Sequence, residues 1–275
     1  VDGEARVIGA FARPGRRLGL SEEERETPLA RHFHPVVPPL APHVLDALAG
    51  PRPAPLFPRW SAIAPWLRVR GDRVEDGYTT SHTTAQLMLR THLPAVTPAM
   101  IDWWFAWHSD EPLRYKLWHP AAHVHACWGR RPPVARSCVG GVSIVDEYLG
   151  DTLGRFSIAF LDPRALGFDD ADLRDAAVIA ARVGLADAPI EAGHLLHHVQ
   201  REGEGSTMRS FFWLGGEHAG ARGGGTLADA LVRAASPLVR PTREDARALL
   251  LHCAEEMSHL ATFLPALHRE HHGPS

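Results

Sequence analysis

Hydrophobic positions near the end of the chain recur at helical spacing. Over residues 242–268, Ala246, Leu249, Leu250, Cys253, Met257, Leu260 and Leu264 fall on one stripe of a helix. Thr242, after Pro241, is the expected N-cap, with Glu244 and Asp245 in the first turn, and Pro265 predicts weakened or bent last turns. Upstream the period drops to two. RYKLWHP, AHVHACW, VGGVSIVDEYLG and RFSIAFLD read as strands. So do HLLHHVQRE and STMRSFFWLGG, and the EGEG at their junction predicts an antiparallel hairpin. DDADLRDAAVIAARVG reads instead as a short helix or helical loop.

The first 110 residues have a different texture. Residues 1–20 show no period and read as an arm, and SEEERETPLARHF predicts a helix capped by Ser21. The many prolines of residues 36–66 predict short helices and turns rather than a sheet. TTSHTTAQLMLRTHL starts with β-formers and is ambiguous afterwards. VTPAMIDWWFAWH predicts a helix with Thr97 as cap and Pro98 at its first position. The expected organisation is a Pro-rich helical region over 1–110 and a second unit over 111–275. Antiparallel strands closed by one long amphipathic helix predict an α+β fold, a curved sheet wrapped around that helix.

Composition excludes some functions. With 275 residues, 45% hydrophobic and 22% charged, the chain is an ordinary globular sequence. A net charge of −3 without a basic tract argues against nucleic acid or an anionic membrane as partner. No apolar run reaches the roughly 20 residues of a membrane span. The first residues lack an apolar signal core, so secretion is not expected. Three cysteines without zinc-finger spacing fit a reducing cytoplasm. The 18 histidines change the picture, because several cluster within apolar segments and histidine is the commonest metal ligand.

Helical phase places Glu256 within the arc of Leu249, Cys253 and Leu260, with His252 at its edge and Glu255 facing away. A His and a Glu four apart share a face and can grip one metal ion, although an acid at the helix boundary paired with a basic residue is the plainer reading of this spacing alone. On a strand, His123, His125 and Cys127 share a face, where a histidine hydrogen-bonded within the sheet is the plainer reading of each. Ser143, Val145 and Glu147 oppose Val142, Ile144 and Asp146, so one of the two acids is expected to point inward, with a cross-strand ion pair as an equal explanation. These segments together offer two His and two carboxylates, a donor set for catalytic zinc that also admits manganese, iron or cobalt. In HLLHHVQRE, His194 and His198 share one face and His197 takes the other. One of them could be a general acid or base, or all could be exposed on an edge strand. Trp104 and Trp107 could wall an aromatic pocket, or belong to the core. Glu256 and His259 also form the ExxH spacing of di-iron bundles, which need four helices where this chain offers one long one.

The block WWFAWHSDEPLRYKLWHPAAH, followed by VDEYLG, MRSFFWLGG and HCAEE, resembles the 2,4-diacetylphloroglucinol hydrolase family, which includes phloretin hydrolase-like enzymes; the resemblance covers roughly residues 25–265. It implies a helical N-terminal region followed by a Bet v-type helix-grip domain, often dimeric. It further implies zinc-dependent cleavage of the bond between an acyl group and a phenolic ring, by a retro-Claisen-type hydrolysis. The motifs carry the metal ligands onto His123, Glu147, His252 and Glu256, and a substrate-contacting tyrosine onto Tyr115. A histidine acid/base falls in the His194–His198 region, with His198 favoured. Two polar positions of the family fall on Ala126 and on Phe211 or Phe212, so a different substrate preference is expected. The alternatives are a non-catalytic small-molecule-binding protein of the same fold, and a metal enzyme with another reaction on an aromatic substrate.

Overall fold

In the computed structural model, which describes residues 6–8, 17–70, 75–235 and 240–272, the C-terminal stripe forms a single helix of 30 residues. In chain order the α-helices and strands are β1 (Arg6–Ile8), α1 (Glu22–Arg25), α2 (Pro42–Ala49), α3 (Ile63–Arg70), β2 (Gly77–Thr80), β3 (Thr84–Leu93), α4 (Pro98–Trp107) and α5 (Pro112–Trp118). Then come β4 (His123–Arg130), β5 (Val142–Leu149), β6 (Thr152–Leu161), β7 (Ala176–Leu185), β8 (Ile190–Glu202), β9 (Gly205–Gly215), β10 (Gly220–Ala221), α6 (Thr226–Ala235) and α7 (Arg243–His272). Thr242 caps α7 as expected: its hydroxyl accepts from the Asp245 amide at 3.0 Å, and the Asp245 carboxylate accepts from the Thr242 amide at 2.8 Å. The helix continues through Pro265.

The main path of the sheet runs β2-β3-β9-β8-β7-β6-β5-β4, with every neighbouring pair antiparallel; β1 joins β6 in parallel and β10 joins β8. The expected hairpin is β8–β9, closed at Glu202–Gly205, where Gly203 takes φ +59°, a value that suits glycine. α7 packs on one face of this sheet, with α4 and α5 beside it. Leu250, Cys253, Met257, Leu260 and Leu264 interlock there with Leu87, Val145, Val199 and Phe212 from the strands. A second apolar layer covers the opposite face, where Phe57, Ile63 and Leu67 meet Met88, Leu196, Phe211 and Trp213. The central strands are therefore buried on both sides.

Several expectations need correction. RYKLWHP is not a strand: Pro112 opens helix α5, and Tyr115, Lys116, Leu117 and Trp118 are all buried. The Lys116 ammonium is accommodated by the Glu24 carboxylate at 2.8 Å. Within DDADLRDAAVIAARVG, residues from Ala176 onward form strand β7, whose ladders to β6 and β8 override the helix preference of its alanines. Residues 77–93, inside the region expected to be helical, supply strands β2 and β3, and β3 pairs with β9 over ten registered positions. The sheet thus begins before residue 110. The expected arm over 1–20 lies largely outside the described residues, and residues 6–8 within it form β1.

Candidate metal centre

Four side chains from three elements meet beside the first half of α7. The helix presents His252 and, one turn on, Glu256; β5 presents Glu147; β4 presents His123. The two Nε2 atoms stand 3.3 Å apart. Glu147 Oε2 lies 3.6 Å from His123 Nε2 and 3.8 Å from His252 Nε2, and Glu256 Oε2 lies 3.6 and 3.7 Å from the same atoms. Donors about 2.0–2.2 Å from a shared tetrahedral ion stand roughly 3.3–3.6 Å apart, close to these separations. His123, Glu147 and His252 form the one cluster of three or more such donors found among the described residues that could hold a metal ion.

The protonation states sharpen the argument. His123 Nδ1 donates to the Tyr115 carbonyl at 3.0 Å, and burial holds its pKa well below 6.5, so Nε2 presents a lone pair. His252 makes a backbone hydrogen bond with Tyr148, and burial lowers its pKa to about 3. Two lone pairs facing each other at 3.3 Å repel unless a cation or a proton lies between them. The carboxylates are as costly: burial pushes Glu147 to about 7, and burial with the neighbouring Glu147 charge pushes Glu256 well above 4.5. The basic groups within 4 Å of them are the two imidazoles, which burial keeps neutral and so unable to offset the charge. The residues therefore fit a divalent cation with nitrogen and oxygen ligands.

Strand parity and one irregularity explain the placement. Val145 and Glu147 face inward on β5, while Asp146 faces the other way and pairs with Arg155 at 3.3 Å. Cross-strand pairing then sets His123 beside Glu147. Regular alternation would put His125 and Cys127 on the same face as His123. A β-bulge between His123 and His125 shifts the register, so that His125 pairs with Asp146 and Ala126 pairs with inward-facing Val145. Ala126 is fully buried in the inner core. Tyr115 lies flat on the His123 ring, 3.7 Å between centroids and 2° between planes, and its hydroxyl donates to Glu147.

A cavity of about 60 Å³ adjoins the cluster, with Tyr115, Glu147, His252 and Glu256 at one end. Phe105, Ile158, Phe160, Leu195, Phe212 and Leu249 give it apolar walls, and Trp118, His108 and His197 complete them. It is far smaller than the roughly 300–1,000 Å³ of a typical ligand site, so a ring-sized ligand must displace wall side chains. A larger concavity of about 560 Å³ is lined by Asp172, Gln200, Glu202 and Arg209 and contains none of the cluster.

Other expected residues lie elsewhere. His194 and His198 do share a face of β8, but it is the opposite one: His194 stacks on Trp60 at 4.4 Å, and His198 lies beside Phe168. The alternation was legible, but with both faces of β8 covered, apolar flanks could not tell which face was functional. His197 is the histidine of this strand that lines the cavity; its Nδ1 is 2.8 Å from Ser210 Oγ, and burial lowers its pKa to about 3. His108 also lines the cavity and carried no sequence signal beyond its place after the aromatic helix. Of the two candidate phenylalanines, Phe212 faces the cavity and Phe211 the outer layer. Trp104 is fully buried behind the wall against Phe263, and Trp107 stacks on Trp103 with Arg114 over its ring at 4.0 Å; neither lines the cavity. His259, the partner in the di-iron spacing, is bonded to the carbonyls of Trp118 and His34 at 2.9 and 3.0 Å and does not join the cluster. All three cysteines are free thiols. No helix among the described residues is long and apolar enough to cross a membrane.

Comparison with known proteins places this geometry. The 2,4-diacetylphloroglucinol hydrolase of Pseudomonas protegens is 32% identical over 203 residues, which are 70% of this chain and 66% of that one. The phloretin hydrolase of Eubacterium ramulus is 25% identical over 277 residues, covering 94% of this chain and 95% of that one. Among solved structures, Ara h 8.0201 aligns with a TM-score of 0.39 at 10% identity, covering 66% of this chain and 99% of that one. The family model described as DAPG hydrolase PhiG domain matches residues 56–269, a span that includes all four cluster residues and every cavity wall, and the chain belongs to that family.

Proposed function

We propose that the chain is a metal-dependent hydrolase that cleaves the carbon–carbon bond between an acyl group and a phenolic, phloroglucinol-like ring by a retro-Claisen route. The observation that carries this reading is the meeting of two neutral imidazoles and two largely buried carboxylates under an apolar cavity, in a chain of this family. His123, Glu147, His252 and Glu256 would hold the metal, zinc being the best match to two nitrogen and two oxygen donors. When bound, such an ion polarises a carbonyl and lowers the pKa of water.

The chain's own residues would do the rest. A proton moves to the ring carbon to give the dienone, water adds its oxygen to the acyl carbon, the bond from that carbon to the ring breaks, and the electron pair passes into the ring as the enolate of the departing phenol. A phenol can accept that pair as an enolate, because its ring carbon, once protonated, is the carbon of a dienone. The proton must be carried to that carbon, and His197 Nε2 is the cavity atom suited to carry it. Burial keeps His197 neutral at working pH, the form that accepts a proton, and negative charge growing on the ring would stabilise its imidazolium. Tyr115 remains a phenol, since burial and the Glu147 charge raise its pKa well above 10; it would hold a ring oxygen while anchored to Glu147. The apolar walls exclude bulk water from the charged intermediate.

The test is elemental analysis of purified protein, followed by chromatography of acylphenols incubated with it. The expected result is one metal per cluster and equal release of carboxylic acid and phenol, both lost in His252→Ala. Full turnover by metal-free His252→Ala would overturn the proposal.

A further inference from the structure

The cavity carries fewer usable hydrogen-bonding atoms than its count of polar side chains suggests. His108 looks like a polar wall, yet both of its nitrogens are spent. Nδ1 donates to the Trp104 carbonyl at 3.0 Å, which leaves Nε2 to accept from Ser109 Oγ at 3.1 Å; Ser109 Oγ in turn meets Ser143 Oγ at 2.8 Å. His108 is 2% exposed and both serines are fully buried, so nothing in this chain turns toward a ligand without breaking a buried bond. Trp118 offers a donor only: its Nε1–H has no protein partner and cannot receive a hydroxyl proton. Beyond the metal cluster, two atoms remain that can accept from a ring hydroxyl: the Tyr115 oxygen, whose own proton goes to Glu147, and His197 Nε2 in the tautomer whose Nδ1 donates to Ser210 Oγ. Every other wall is hydrocarbon.

Resting on the hydrolase reading above, we propose that the substrate is an acylated phenol with two free ring hydroxyls and an apolar alkyl or alkoxy group where a fully hydroxylated ring carries its third. Two hydroxyls flanking the ring positions activated toward protonation suffice to stabilise the departing ring as an enolate, so the chemistry does not need the third. The wall side chains that must move to admit a ring remain hydrocarbon after they move, so a third hydroxyl would be buried against Phe212, Leu195 or Phe160 without an acceptor, whereas an alkyl group there buries apolar surface. Phe212 is the specificity-determining residue, because it lines the cavity beside His197, 5.8 Å between ring centroids, where a ring bonded to His197 meets its wall.

The experiment compares two ketones of identical acyl group on metal-loaded protein, one on phloroglucinol and one on its analogue with methyl in place of one hydroxyl. Calorimetry of the two free phenols accompanies it. The expected result is a kcat/KM at least about ten-fold higher for the methyl compound, tighter binding of the methyl phenol, and a ratio brought within about three-fold by Phe212→Tyr. Preference of the wild-type protein for the fully hydroxylated ketone or phenol overturns the inference, as does an unchanged ratio in a folded Phe212→Tyr. Should that variant fail to fold, the two wild-type ratios still decide. If neither ketone is cleaved but the methyl phenol binds more tightly, the hydrolase reading falls and the account of the cavity stands. If both ketones are cleaved equally and both phenols bind equally, the reverse holds.

Discussion

Replacing Glu147 by Gln tests whether the cluster is built around a cation. In metal-free protein the Glu147 carboxyl titrates near 7 instead of 4.5, because burial disfavours its charged form. That shift corresponds to about 3 kcal/mol against the ionised state. The sign follows from proton counting. Below pH 4.5 the group is protonated in both folded and unfolded chains and costs nothing. Between 4.5 and 7 the folded state holds the extra proton, so stability falls as pH rises, and the full cost is present above 7. A glutamine carries no such cost and still accepts the Tyr115 hydroxyl. Metal-free Glu147→Gln should therefore match the wild type near pH 4.5 and exceed it at pH 8 by up to about 3 kcal/mol, or about 6–12 °C in Tm. Metal reverses the order. At a hundred times its Kd, an ion stabilises the wild-type protein by about 2.7 kcal/mol, and the variant, one anionic ligand short, should gain little. Thermal unfolding of chelated and metal-loaded protein across this pH range measures both effects. A metal-free variant less stable than wild type at pH 8, with no growth of the difference as pH rises, would refute the reasoning. It would mean that the protein itself satisfies the carboxylate.

Other outcomes follow from the same geometry. Tyr115→Phe removes only the hydroxyl bonded to Glu147, and should lower kcat/KM on an acylphenol about a hundred-fold while leaving metal stoichiometry intact; a loss of metal instead would make the tyrosine a support for the ligand alone. His197→Ala should cost at least about a hundred-fold in kcat, and His198→Ala, altered on the outer face, should leave kcat within a few-fold of wild type; the opposite ranking in steady-state kinetics would reverse the assignment. Burial lowers the pKa of His108, His194 and His198 to about 4 and of His197 to about 3. The unfolded chain therefore binds more protons than the folded one below about pH 6.5, and each histidine steepens the loss of stability on acidification by up to about 1.4 kcal/mol per pH unit. Calorimetry between pH 5 and 8 should show a steep fall in Tm below about 6; a flat profile would contradict their burial.

How far the sequence reveals this site depends on what fixes each residue. His252 and Glu256 are set by helical spacing alone, and the phase that separates Glu256 from Glu255 holds: Glu256 joins the cluster, while Glu255 turns to His119 at 3.3 Å. Glu147 follows from strand parity once one face of β5 is known to be inner. β7 and α5 are less legible because partners outweigh local preference: an alanine-rich run becomes a strand between two others, and an aromatic run becomes a helix buried against α7 and β4. His197 was hidden for a related reason. Apolar residues cover both faces of β8, so its alternation carries no indication of which side is the cavity.

His123 is the cluster residue that no periodicity could place. A strand of strict alternation cannot turn residues three apart to the same side, yet His123 must reach the cluster and Ala126 must fill the core beside Val145. The bulge between His123 and His125 satisfies both demands, at the expense of one regular ladder position. The β4 strand accepts this irregularity because α5 holds it from the other end. The Tyr115 carbonyl takes the His123 Nδ1 proton, and the Tyr115 ring lies on the imidazole. Tyr115 thus fixes both the tautomer and the tilt of the ligand while its hydroxyl restrains Glu147. Three restraints on two cluster residues converge on one residue of a short helix. That convergence explains why the chain tolerates an imidazole pair and two carboxylates that would repel one another in the absence of a cation, and why the position of α5 matters to the site as much as the ligands themselves.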